Sequence, residues 1–396
     1  SDKPLVVSAP TGSGKTILFE LAIIRLIELS HNESTTDNKI VYMAPVKALC
    51  AERYIDWQRK FEPLGLQAIE VTGDSNNLDL GVLEKYNIIL TTPEKWDSLT
   101  RRWHDYTALV KVIKLFLIDE VHLLSEEKRG PTLEAVVSRM KTVQVTLNPN
   151  ADENNSIRFI AVSATIPNIG DIAKWLGPRG RPAIYFKFGE EMRPVHLDKV
   201  VIGYPSRNNI TAFKFEMNLS YKIKQIVLKY SNGKPTLIFC TTRKGVLQTV
   251  SILLRDIAYQ FSTEQRSKLE EVLNVLLDNK LKDAIKQGIG YHHAGMITSD
   301  RNHICELFRS GSLPILVATS TLAMGVNLPA HLVIIKSTEQ YVGGEWVEYS
   351  EGQLLQMIGR AGRPQFDEKA TAVIMTRDNV KVIYLIFNAY KHFLRT

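Results

Sequence analysis

The segment Ala9-Pro10-Thr11-Gly12-Ser13-Gly14-Lys15-Thr16 constrains this chain more than any other. It follows the apolar run of residues 4–8 directly and opens a helical stretch, Thr16 to Leu29. Glycines here let the backbone curl until its N–H groups surround phosphate oxygens, at the positive end of the next helix dipole. Lys15 then contacts the β- and γ-phosphates, and the Thr16 hydroxyl can ligate Mg²⁺. Strand, glycine loop and helix in this order predict a nucleoside triphosphate site on a parallel α/β sheet.

The rest of the chain repeats that architecture. Apolar runs at residues 39–44, 87–91, 114–118 and 158–162 read as further strands. A second series follows at 236–240, 313–318, 331–335 and 371–375. Such continuous runs are typical of parallel strands covered by helices on both faces. Residues 177–211 interrupt the pattern with Gly177-Pro178, Arg193-Pro194 and Arg207-Asn208-Asn209. A length of 396 residues suits two α/β domains, expected at 1–200 and 201–380, with 381–396 an unassigned tail. Polar stretches 30–39 and 147–156 read as surface loops. No apolar run approaches the roughly 20 residues that span a bilayer, so a soluble chain without membrane contact is expected. Nothing at the start reads as a signal peptide. Cys50, Cys240 and Cys305 lack CxxC spacing, which speaks against disulfides and zinc and for a reducing compartment. The net charge of +7 is uneven: residues 1–200 carry 25 Lys+Arg against 26 Asp+Glu, and the remainder 24 against 16. The surplus suggests a polyanion-facing surface in the second half, or merely a solvated basic face.

Two further motifs carry chemistry. Leu117-Ile118-Asp119-Glu120-Val121-His122 ends an apolar strand, and strand carboxyl ends in such sheets face the phosphate loop. Asp119 is assigned to Mg²⁺ and Glu120 to the attacking water. Gln356-Met357-Ile358-Gly359-Arg360-Ala361-Gly362-Arg363 supplies two arginines. They either stabilise charge in phosphoryl transfer, which would make hydrolysis depend on domain closure, or are structural arginines on a helix.

With Ser163-Ala164-Thr165 between them, these motifs resemble, in kind and order, those of superfamily 2 helicases of the DExH class. The phrases HHAGM, GVNLPA and GRAGRP resemble the Ski-like group, and PEKWDSLTRRW and GRAGRPQFD its meiotic crossover DNA helicases. Spliceosomal RNA helicases share several of these phrases. The resemblance implies two tandem RecA-like domains, the P-loop NTPase core of a 3′-to-5′ DNA helicase using ATP and Mg²⁺. Single-stranded and branched DNA are its implied substrates, in the nucleus, in a monomer that meets meiotic recombination proteins through other regions. The alternatives are an RNA-remodelling helicase and a nucleotide-gated scaffold with little turnover.

The resemblance also distributes roles. Gln356 joins the catalytic group, and Gly325 and Asn327 the nucleotide site. Ser163, Thr165 and His122 would couple hydrolysis to movement. Pro45, Lys47, Thr92, Pro93 and Glu94 in the first half, with Thr72-Gly73-Asp74 beside them, would meet the nucleic-acid backbone. In the second half Thr241, Arg243, His293, Thr319 and Thr321 would do the same. Threonine hydroxyls and cations suit that task because they hold phosphates without reading bases. The His292-His293 pair, with no cysteine or acid nearby, reads as a hydrogen-bonded structural element and not a metal site. Residues 339–349 read as a hairpin about Gly343-Gly344. In the related DNA helicases a hairpin at this place splits the duplex, so Tyr341 and Trp346 are candidates to stack on the last base pair; a plain surface hairpin is the alternative. An upstream adenine-reading segment, a winged helix and a helical ratchet are not recognised, so the chain is expected to be the core of a longer protein.

Overall fold

The computed structural model describes residues 2–384 apart from 34–37, 74–79, 128, 148–155, 165, 167, 179–180, 207–209 and 258. Asp74, Thr165, Arg207-Asn208-Asn209, residues 34–37 and 148–155 of the two expected loops and most of the expected tail lie outside the described residues. Residues 30–33, expected as loop, instead continue the helix Lys15–Glu33, and Lys39 begins a strand. The chain divides into two compact units, Ser1–Arg193 and Pro194–Thr396.

Unit 1 contains β1 (Leu5–Ser8), β2 (Lys39–Met43), β3 (Ala68–Val71), β4 (Ile88–Thr91), β5 (Ile113–Ile118), β6 (Arg158–Ser163) and β7 (Ile184–Lys187). They form one parallel sheet in the order β3-β4-β2-β5-β6-β1-β7. Side chains alternate between its faces. Val41, Met43 and Phe116 pack with Trp96 and Val137 on one side. Tyr42, Leu115 and Leu117 pack with Phe19 and Trp57 on the other. Both faces are therefore covered by helices, as the unbroken apolar runs require.

Unit 2 contains β8 (His196–Tyr204), β9 (Thr236–Cys240), β10 (Ile289–His292), β11 (Ile315–Thr319), β12 (Leu332–Ile335), β13 (Glu339–Val342), β14 (Glu345–Glu348) and β15 (Lys369–Arg377). Six of these form a parallel sheet, β10-β11-β9-β12-β15-β8, around its own core. β13 and β14 pair antiparallel as a separate hairpin. Both units are thus parallel α/β domains, as the two series of apolar runs predict.

The four strands without a continuous apolar run, β3, β7, β8 and β10, are the four sheet edges. Edge strands carry polar or exposed residues that central strands cannot: Glu70 in β3, Tyr185 and Phe186 in β7, Asp198 and Lys199 in β8. In β10, Gly290 and His292 break the run. β8 also corrects the domain boundary. It runs through residue 200 while pairing with β15 from His196 to Tyr204, so the division falls before it, at Arg193/Pro194. Among the described residues no helix is long and apolar enough to cross a membrane.

Candidate functional site

In unit 1, β5, β6 and β1 are neighbours, so their carboxyl ends bring Asp119-Glu120, Ser163 and the glycine loop together. Gly12 and Gly14 adopt φ of 84° and 82°, left-handed values that a side chain would strain. The loop leads into the helix Lys15–Glu33. Lys15 Nζ donates to the carbonyls of Ala9 and Pro10, each at 2.9 Å, holding the ammonium against the loop. Ala9 and Pro10 thus present oxygens to the lysine, and Pro10 has no N–H to offer a phosphate. Thr11, Ser13 and Thr16 are partly exposed around this turn, and the Ser13 hydroxyl donates to Pro10 O at 2.7 Å.

Asp119 is held on both carboxylate oxygens. Oδ1 accepts from the Glu120 N–H at 2.9 Å, and Oδ2 accepts from the Tyr42 hydroxyl at 2.7 Å. Burial, and then the charge of Glu120, push the Asp119 carboxyl up to about 6. Glu120 turns away at φ 53°, and its Oε2 lies 3.3 Å from His122 Nδ1. Burial would raise Glu120 too, but the His122 contact and Lys15 outweigh it and hold the carboxyl low. His122 Nδ1 is also 2.8 Å from Ser163 Oγ, which joins two of the coupling residues to Glu120. The donor set is hard oxygen, and burial keeps Asp119 high although Arg53 and Lys15 act on it. A divalent cation such as Mg²⁺ fits these residues.

On the same edge of the sheet lies a groove of about 670 Å³, lined by Pro45, Lys47, Thr92, Glu94 and Arg129 among others. Arg129 Nε is 2.8 Å from Glu94 Oε1, and the same guanidinium donates to Pro45 O. Burial raises Glu94, but its bond to Arg129 outweighs this and keeps the carboxyl below its usual range. Pro93 does not line the groove: it is buried as the first residue of the helix Pro93–Thr100, where a proline costs no hydrogen bond.

In unit 2 the Arg360 guanidinium donates to Ala323 O and, at 3.3 Å, to Asn327 Oδ1. Arg363 Nε is 3.1 Å from Asp367 Oδ2, a fully buried carboxylate that also meets Lys234 Nζ and His331 Nδ1, each at 3.1 Å. Arg363 is therefore anchored through its Nε on Asp367. Gln356 lies within the helix Glu351–Gly359. Gly325 ends the short helix Thr321–Gly325.

The Thr241 hydroxyl donates to Glu339 O at 2.9 Å, which anchors the hairpin. Arg243 opens the helix Arg243–Asp256 and is exposed. Thr319 and Thr321 hydroxyls are 2.9 Å apart. The Nδ1 atoms of His292 and His293 are buried with no partner of good geometry among the described residues, while each imidazole keeps a contact with its own backbone. Burial, then Arg301 and His293, push the His292 imidazole down to about 4. The hairpin forms about Gly343-Gly344, at φ 63° and 96°, with Tyr341 opposite Trp346 and their rings 5.7 Å apart. Gln340 and Gln353 pair their amides at 2.9 Å, linking the hairpin to the helix that leads to Arg360.

The DEAD/DEAH box helicase profile matches residues 1–172, and the helicase conserved C-terminal domain profile matches residues 219–365. The chain thus carries, in order, the two domains of a helicase core. It is 55% identical over 387 residues to the probable ATP-dependent DNA helicase HFM1 of Xenopus tropicalis, 97% of this chain and 29% of that protein. Human HFM1 is 54% identical, over 97% of this chain and 27% of its own length. The ATP-dependent DNA helicase MER3 of Saccharomyces cerevisiae is 44% identical over 385 residues, covering 97% and 31%. The chain thus spans about a third or less of these helicases.

Two residues of this site are not singled out by the sequence. Arg129 stands outside the quoted motifs of the groove, 84 residues from Pro45. Tyr42 looked like one more apolar strand residue. The only available signal was that a tyrosine in a fully buried strand needs a partner for its hydroxyl.

Proposed function

We propose that this chain is the ATP-hydrolysing core of a 3′-to-5′ DNA helicase that translocates on single-stranded DNA and opens duplex or branched recombination intermediates in meiotic nuclei. The observation that carries the reading is the half-buried Asp119–Glu120 pair beside the glycine loop, on the same sheet edge as a groove bearing Lys47, Lys95 and Arg129. Thr16 and Asp119 would hold Mg²⁺, which when bound screens the phosphate oxygens. Lys15 contacts the terminal phosphates, and Glu120, held ionised by His122, orients the attacking water and takes its proton. Arg360 and Arg363 stabilise the charge that develops on transfer, with Gln356 beside them. Ser163 and His122 report the state of Glu120 to the strand-gripping segments.

Pro45, Lys47, Thr92 and Glu94 with Arg129, and in unit 2 Thr241, Arg243, His293, Thr319 and Thr321, hold the sugar-phosphate backbone. Tyr341 and Trp346 act as the wedge. Relatives named as ATP-dependent DNA helicases support DNA as the polymer. The test is ATP-driven strand displacement from duplexes with a 3′ or a 5′ single-stranded tail. The reading predicts displacement from the 3′-tailed substrate alone, by a monomer. Displacement of RNA duplexes only would replace it with the RNA-remodelling alternative, and none at all, with little hydrolysis, would favour the scaffold.

A further inference from the structure

We infer that Tyr42 is a positioning residue for Asp119, fixing the plane of the carboxylate that meets Mg²⁺. The inference rests on the proposed nucleotide reading. Tyr42 is fully buried on β2, the neighbour of β5, and its hydroxyl donates to Asp119 Oδ2 at 2.7 Å. The Glu120 N–H holds the other oxygen. With one protein donor on each oxygen, rotation of the carboxylate is restrained, and each oxygen keeps a further lone pair to offer a cation.

The ring itself is clamped. Phe19, from the helix after the glycine loop, packs edge-on at 5.8 Å, and Trp57, from the helix Lys47–Phe61, at 5.0 Å. Trp57 Nε1 donates to Glu20 at 3.2 Å, and Lys60 donates to the same carboxylate oxygen at 2.8 Å. Arg53 lies over the Trp57 ring at 5.9 Å. The helix that opens at Lys47 in the groove therefore sets the position of the hydroxyl that sets Asp119. A tyrosine needed only for packing would gain nothing from a hydroxyl buried against a carboxylate.

The test is binding of a fluorescent ATP analogue with Mg²⁺ and with EDTA, for the unaltered chain, Tyr42→Phe, Asp119→Asn and the double variant. Phenylalanine keeps the ring contacts and removes only the hydroxyl, which donates to Asp119 and also meets the Arg53 guanidinium. Tyr42→Phe should cut the Mg²⁺-dependent gain in affinity about tenfold, the usual effect of losing a partner that orients a metal ligand. Affinity in EDTA should not change. In the Asp119→Asn background the same substitution should add nothing, because both act through one carboxylate. An unchanged Mg²⁺ gain, equal losses with and without Mg²⁺, additive losses, or failure of Tyr42→Phe to fold would each overturn the proposal. An unaltered chain that binds no analogue would instead sink the nucleotide reading beneath it.

Discussion

Replacing Lys336 by methionine should destabilise unit 2 strongly, because its ammonium is fully buried against a carboxylate. Lys336 follows β12, and its ammonium lies 2.7 Å from Glu216 Oε1, with both side chains fully buried. The same ammonium donates to Thr249 Oγ1 at 3.0 Å, on the helix that opens at Arg243. Glu216 finds no hydrogen-bond donor of good geometry among the described residues, so the lysine charge is what neutralises it. Removing one partner of such a pair costs about 3–5 kcal/mol, because an uncompensated charge stays buried. For a unit of roughly 200 residues, each 1 kcal/mol is worth about 2–4 °C, so melting should fall by roughly 6–20 °C. The double variant Lys336→Met/Glu216→Leu should recover most of the loss, since a well-packed apolar pair of similar volume is often as stable. Thermal melting followed by near-ultraviolet circular dichroism reads both. A fall of less than about 2 °C for Lys336→Met, or a double variant no better than the single, would refute the reasoning.

Arg129→Ala should weaken binding of oligothymidine, because Glu94 then faces the groove uncompensated, and fluorescence anisotropy at several salt concentrations will measure it. Unchanged affinity would remove Arg129 from the groove's function. Gly343→Ala/Gly344→Ala places side chains at two left-handed positions, at about 1–2 kcal/mol each, so strand displacement should fall while ATP hydrolysis persists. Equal loss of both activities would deny the hairpin a separate role. Burial raises Asp367, but the hydrogen bonds from Arg363 and Lys234 outweigh it and hold the carboxyl low. Its stabilisation is therefore present above the ordinary carboxyl pKa of about 3.9 and is lost as pH falls through the lower folded value. Asp367→Asn should lower the melting temperature at pH 7 and lose that disadvantage as pH falls below the ordinary carboxyl range, as a melting series across pH would reveal.

The fold was largely legible because its central strands are unbroken apolar runs and its phosphate loop has a fixed order of glycines. The edge strands were not, since β7 and β8 mix apolar with exposed or charged residues and look like loop. Half-chain charge was no guide either: residues 1–200 are slightly acidic, yet the groove there carries Lys47, Lys95 and Arg129. Asp119, Glu120 and Lys15 were readable from local spacing. Tyr42, Arg129 and the Lys336–Glu216 pair were not, because each acquires its role from a partner that only tertiary packing supplies. Pro93 shows the reverse, a motif residue that the helix start claims for itself.

Steady-state ATP hydrolysis without polymer, with single-stranded DNA and with single-stranded RNA, beside a Lys15→Ala control, tests the central claim most directly. The account predicts strong stimulation by DNA over RNA and no hydrolysis by Lys15→Ala. Normal turnover by Lys15→Ala, or stimulation by RNA alone, would contradict it.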